Sequence, residues 1–225
     1  MLKRWNWATT GRRSRWSCWR KARSAPEVRA CSSPSRKDTL PITDGRRVVN
    51  VPRPSDAQRV ELNRLRADVM AVMQSLGMLD ASSEQTLECV PLGLLRSNAT
   101  QRHGVTRWRR ESGALQLLMV DLHPRLLDEA WSSYAAFVLY HEFLHALGWR
   151  AHNRDFRSLE SAWPDSEAST LGPSFTHAMR AEQAVWWWVC NTCGGRYPRK
   201  KPSKGRYQCR LCLTPLHDVK ANGGS

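Results

Sequence analysis

Residues 135–147 read AAFVLYHEFLHAL, apolar on every side of a helix except at His141, Glu142 and His145. A helix without a polar face has to be buried in a core. Three ionisable groups cannot be buried there unpartnered without a cost of several kcal/mol. Residues four apart share one helical face, so both imidazoles reach a single point and Glu142 projects beside it. A metal ion at that point compensates the burial. Zinc fits the donors: it binds neutral imidazoles and lowers the pKa of its water to about 7, and a neighbouring carboxylate takes the proton as the hydroxide attacks a carbonyl. From the chain's own composition, roughly 0.01 occurrences of His-Glu-x-x-His are expected by chance, so a fortuitous pair of core histidines is the weaker reading.

A third ligand has to come from elsewhere, and His152 is nearest, beyond the helix stop at Gly148. The metzincin pattern would place its third histidine at position 151, which is Ala151 here. His103, His123 and His177 are alternatives, while His217 belongs with the C-terminal cysteines.

Those cysteines are the second constraint. Cys190, Cys193, Cys209 and Cys212 form a C-x₂-C-x₁₅-C-x₂-C layout, which fits a closed structural zinc site of four thiolates. Gly194 and Gly195 supply the tight turn that brings backbone amides toward the first pair. So short a segment buries little core, and metal binding has to supply most of its folding energy. Cys18, Cys31 and Cys89 fall into no pattern and read as unpaired thiols, so cysteine usage favours a reducing compartment.

Charge is unevenly spread along the 225 residues. Residues 1–50 carry 13 Lys/Arg against 3 Asp/Glu, residues 51–189 carry 14 against 16, and residues 190–225 carry 8 against 1. The middle is nearly neutral, and both flanks are suited to phosphate backbones. Between the cysteine pairs, Arg196, Arg199, Lys200, Lys201, Lys204 and Arg206 alternate with Tyr197 and Tyr207, which points to phosphate contact with stacking and not to sequence-specific reading. No apolar run is long enough to span a bilayer, so a membrane partner is not expected and the location reads as cytoplasmic, or nucleoid- or nucleus-associated.

Three regions follow. Residues 1–50 mix Arg, Ser and Trp without a period and read as a disordered basic arm or a stretch upstream of the true start. Residues 51–189 form the main domain, and residues 190–225 the zinc ribbon and tail. In the main domain an amphipathic helix runs from a cap at Ser55 or Asp56 to Gly77. Strand-like runs at Val105–Trp108 and Ala114–Val120 flank a turn at Glu111-Ser112-Gly113 and read as a hairpin. A long helix is expected from Leu126 to Gly148, then a helix through Phe156, Leu159 and Trp163, then a polar loop over residues 165–174. Trp186-Trp187-Trp188 reads as packing between ribbon and main domain.

The run Tyr140 to Leu147, followed by His152 and by Phe156 four residues later, resembles the HExxH…HxxxF core of the SprT-like, or Spartan-type, metallopeptidases. The hairpin with Trp108-Arg109-Arg110 and the helix after Pro124 match that family's order of elements. The resemblance covers residues 55–215 and is strongest over 105–163. It implies an α+β fold, a minimal zincin-like domain with a small zinc ribbon, with His141, His145 and His152 on a catalytic zinc, Glu142 as general base and the four cysteines on a structural zinc. Family members act on proteins bound or crosslinked to DNA, and some relatives are described as transcription elongation factors. The interval Ala146–Ala151 is shorter here than in Spartan-type relatives. In zincins the strand nearest the metal pairs with extended substrate, and Ala114–Val120 is the local choice for that role. The expected function is a zinc metallopeptidase acting on nucleic-acid-associated proteins, through Glu142-assisted attack of a zinc-bound water on a peptide carbonyl. The alternative is a non-enzymatic zinc-ribbon factor that binds nucleic acid in transcription elongation, and a third class is a small-molecule zinc amidohydrolase.

Overall fold

The computed structural model describes residues 52–221, together with the backbone of two short paired strands, β1 (Thr43–Asp44) and β2 (Arg47–Val48). The expectation of a disordered arm over residues 1–50 otherwise falls outside the described residues. The architecture is α+β, with five helices and two three-stranded sheets over 52–221.

Helix α1 (Asp56–Ser75) starts where a capping residue lets it. Ser55 Oγ accepts from the Gln58 N–H at 3.2 Å, and Gln58 Oε1 accepts from the Ser55 N–H at 2.9 Å, a reciprocal box that satisfies two otherwise orphaned donors. Leu62, Leu65, Val69 and Met73 line its buried face, and Gly77, at φ 67°, turns the chain away. A second helix, α2 (Ala81–Cys89), and a short strand, β3 (Leu92–Leu94), follow; sequence periodicity had not separated either. Cys89 is disulfide-bonded and so departs from the unpaired reading.

The expected hairpin is present as β4 (Gly104–Glu111) and β5 (Ala114–Leu122), turned by Ser112 and Gly113 at φ 49° and 85°. Strand β3 joins β5 in parallel, which gives the order β3-β5-β4 and makes β4 an edge strand. A register shift between Arg107 and Trp108 marks a bulge.

The long helix expected from Leu126 begins later. Two 3₁₀ turns, Pro124–Leu127 and Glu129–Trp131, precede α3 (Ser132–Ala146). They are separated at Asp128, whose extended backbone (ψ 141°) no helix can pass through. Helix α3 is the centre of the body: Ala135, Val138, Leu139, Tyr140, Phe143 and Leu144 are buried against α1, the sheet and the helices that follow. Asn153 caps α4 (Arg154–Glu160), and α5 (Gly172–Glu182) starts inside the expected loop, with Pro173 in its first turn. Phe175 and Met179 of α5 complete the core.

The C-terminal module is a second antiparallel sheet, β6 (Trp186–Val189) between β7 (Arg196–Arg199) and β8 (His217–Lys220). Its central strand therefore begins before the first cysteine. Trp187 lies against His177 of α5, while Trp188 stacks on Tyr207 within the module at 4.4 Å. No helix among the described residues is long and apolar enough to cross a membrane.

Candidate metal centres

Two clusters of metal-ligating side chains stand apart in the fold, one of three histidines and one of four cysteines. Helix α3 carries His141 and His145 one turn apart, and the Gly148 stop (φ 97°) lets the chain double back so that His152 meets them. The three Nε2 atoms converge: 3.2 Å from His141 to His145, 3.1 Å from His145 to His152 and 3.2 Å from His152 to His141. Four-coordinate zinc with bonds of roughly 2.0–2.1 Å needs ligand nitrogens about 3.3 Å apart, and this triangle has that size.

The opposite ring atoms fix the tautomer. His141 Nδ1 lies 2.6 Å from Glu160 Oε1, and His145 Nδ1 lies 2.6 Å from the Trp149 carbonyl. Both partners are acceptors, so both Nδ1 atoms carry a proton, and in the neutral ring Nε2 is then the lone-pair atom. Lone pairs pointed at one another repel, so the convergence is built for a cation. Burial pushes the His145 pKa down and keeps that ring neutral, as a metal ligand must be. Phe156 of α4 backs all three rings at 4.7 to 5.0 Å.

Glu142 is buried next to this triangle. Thr106 Oγ1 of β4 sits 2.7 Å from its Oε2 and 2.9 Å from its carbonyl oxygen, and shares one proton between them. Burial pushes the carboxyl pKa up, and the Thr106 hydrogen bond opposes that shift. Strand β4 approaches so closely that a Cβ on Gly104 would fall 2.7 Å from Glu142 Cγ and 2.8 Å from its Oε1. A glycine is required there for the carboxylate to keep its place. The triangle and Glu142 open into a cleft of about 420 Å³, whose other wall is Gly104, Val105, Thr106 and Trp108.

Strand β4, and not Ala114–Val120, lines this cleft. The latter run lies in the central strand β5, where β4 stands between it and the histidines. Arg150 also lines the cleft, whereas the Tyr140 hydroxyl is turned away and donates to the Leu159 carbonyl. The remaining histidines are committed elsewhere. His103 bridges the Tyr134 hydroxyl (2.6 Å) and Thr176 Oγ1 (3.0 Å). His123 is buried and accepts from the Arg125 N–H at 3.2 Å. His177 faces Trp187, and His217 pairs with Val189 in the second sheet.

At the other end, Cys190, Cys193, Cys209 and Cys212 bring four sulfurs within 4.8 Å of one another. Cys193 and Cys209 Sγ are 3.6 Å apart, close to the roughly 3.8 Å that two zinc–sulfur bonds of about 2.3 Å subtend at a tetrahedral angle. The two Cys-x-x-Cys turns hold their sulfurs the same way. Backbone N–H groups of Thr192 and Cys193 point at Cys190, and those of Leu211 and Cys212 at Cys209. The Thr214 hydroxyl, followed by these amides, pulls the Cys190 thiol down to about 6. Hydrogen bonding from Cys193 first, then burial, pushes Cys212 up to about 12. Four thiols at such separations divide their protons unequally, and a dication removes the conflict by taking all four as thiolates.

The two clusters gather all seven ligand residues expected from sequence. Glu160, the Trp149 carbonyl, Thr106 and Gly104 were not foreseen. Compared with family models, curated proteins and solved structures, the chain has no match.

Proposed function

We propose that this chain is a zinc-dependent metallopeptidase of the SprT/Spartan kind, with a zincin-like body and a structural zinc ribbon. The observation that carries the reading is the meeting of three histidine Nε2 atoms with a buried carboxylate at the floor of an open cleft. His141, His145 and His152 would hold the catalytic zinc, leaving one side open, and Cys190, Cys193, Cys209 and Cys212 the structural one. When bound at the histidines, zinc supplies Lewis acidity and a water of lowered pKa.

The chain's own residues do the rest. Thr106 holds one oxygen of Glu142 and so aims the carboxylate, leaving the other oxygen to take a proton from water and pass it to a leaving amine. The raised pKa of Glu142 suits a group that must both accept and return that proton. Edge strand β4 offers unpaired backbone groups to an extended peptide, which favours a protein segment as substrate over a small molecule. Arg150 is the cation available to a developing oxyanion. The cationic ribbon favours a nucleic-acid partner that holds the enzyme near DNA-bound proteins, in the cytoplasm or at the nucleoid or nucleus.

Glu142→Gln tests this reading. The variant should retain both zincs by elemental mass spectrometry, while its rate on unfolded casein, with and without single-stranded DNA, falls about 10²–10⁴-fold. Full activity in the variant, or no hydrolysis by a wild type carrying two zincs, would sink the reading.

A further inference from the structure

A second cleft, of about 340 Å³, lies where the C-terminal module meets the body. Its walls come from three places in the chain: Thr100 and Gln101 before β4, Arg180 in the last turn of α5, and Pro198, Arg199 and Lys200 at the end of β7. All of its charged groups are cations, and among the described residues none of the three forms an ion pair.

The acids of α5 and of the module are engaged elsewhere. Glu182, two residues after Arg180, is held by Arg125. Asp218 is the single acidic side chain after residue 189, and it accepts from the backbone N–H groups of Ser203 at 2.6 Å and Lys204 at 2.8 Å. Burial, and then the Arg180 and Arg210 guanidiniums, push the Arg199 pKa down. Cations crowded in a partly desolvated cleft gain when an anion enters.

Geometry adds to charge. The Arg199 guanidinium donates to the Pro198 carbonyl at 2.8 Å and lies 4.8 Å above the Trp188 ring, so it is already positioned before any ligand arrives. Thr100 and Gln101 contribute neutral donors. Fixed arginine, lysine and neutral donors around one hollow is the donor set that phosphate oxygens take. Lys201, Lys204 and Arg206 continue the cationic surface in sequence along the same module, which favours a chain of phosphates over an isolated one.

We propose that this cleft, shared by body and module, is a phosphate site that takes one backbone phosphate of a nucleic-acid strand. The inference rests on the nucleic-acid part of the reading above and is independent of peptidase activity. Arg180 belongs to the body and Arg199 and Lys200 to the module, so a phosphate between them also ties the two together.

The test uses the zinc-loaded full chain and a fluorescent single-stranded DNA oligonucleotide, with anisotropy followed over a range of salt. Arg180→Gln and Lys200→Gln should each weaken binding and reduce the slope of log K against log salt by about 0.7–1, while Arg53→Gln, an exposed cation that does not line the cleft, leaves both unchanged. Inorganic phosphate should displace the oligonucleotide from wild type better than chloride does at equal ionic strength, and Arg180→Gln should lose that difference. Melting temperatures equal to wild type would show that the variants are folded. Unchanged slopes in both cleft variants, with the oligonucleotide still bound, would overturn the site and leave the nucleic-acid reading standing. No oligonucleotide binding, with inorganic phosphate still stabilising the protein through Arg180, would overturn the nucleic-acid source.

Discussion

The histidine and cysteine clusters solve the same problem, converging lone pairs, in opposite surroundings. The histidines bring three donors to the edge of a cleft and stand on a helix locked into a core that holds 23 buried residues. The cysteines bring four donors into a module whose buried core is Cys190, Cys209 and Leu216. Three donors leave a coordination position for chemistry, and four leave none. Conversely, a large core does not depend on a metal for its fold, whereas a core made of the ligands themselves does.

Removing one ligand from each cluster breaks the comparison most sharply. Cys209→Ser should cost one metal ion and unfold the second sheet, since a structural zinc supplies roughly 10–16 kcal/mol in such modules. His145→Ala should cost the other ion and leave the body folded. Elemental mass spectrometry gives the metal count, and hydrogen exchange reports protection in α3 and β6 separately. Loss of α3 protection in His145→Ala would mean that the body, too, is held together by its metal.

The next effect belongs to the open site alone. A methyl group at Gly104 would overlap Glu142 and Val138 Cγ1, the latter at 2.9 Å, so Gly104→Ala should displace the carboxylate and lower hydrolysis on the order of 10²-fold. Metal content should not change, because no ligand moves. Equal loss of metal and rate would show instead that the β4 approach positions the histidines.

A smaller effect separates the two kinds of ligand support. His141 leans on a carboxylate, Glu160, while Cys190 leans on amides and a hydroxyl. Glu160→Gln replaces the carboxylate that orients the His141 ring with a neutral amide, and chelator competition should show metal affinity at the histidines falling about 10–100-fold. The cysteine site should hold its metal as before.

How much of this was legible before the fold was known depended on sequence distance. His141, Glu142 and His145 lie within one helical turn, and each cysteine pair within four residues, so local spacing disclosed them. The β4–β5 hairpin was legible for the same reason, two short strand-like runs on either side of a turn at Glu111-Ser112-Gly113. The cleft wall was not, because β3 pairs with β5 in parallel across 28 residues, and that pairing covers the free side of β5 and leaves the edge of the hairpin to β4. Thr106 and Gly104 meet Glu142 across a separation that no local pattern records. Glu160 was within reach: Phe156 packs on His141, and a residue four further along the same helix faces the same ring.

The smallest effect lies inside the cysteine module, where two turns with the same hydrogen bonds differ at the residue in the left-handed position. In the first, Gly194 N–H donates to the Cys190 carbonyl and Cys190 N–H to the Gly195 carbonyl, both at 2.9 Å, with Gly194 at φ 70°. In the second, Leu213 N–H donates to the Cys209 carbonyl at 2.9 Å and Cys209 N–H to the Thr214 carbonyl at 2.8 Å, with Leu213 at φ 56°. A left-handed backbone costs a leucine about 1–2 kcal/mol that a glycine does not pay, and the extra freedom of an unfolded glycine offsets about half of that. Leu213 is 70% exposed, so little burial is lost with its side chain. Leu213→Gly should therefore stabilise the zinc-loaded module by up to about 1 kcal/mol, read as a higher chelator or thermal midpoint. A lower midpoint would show that the Leu213 side chain makes contacts worth more than the strain of its backbone.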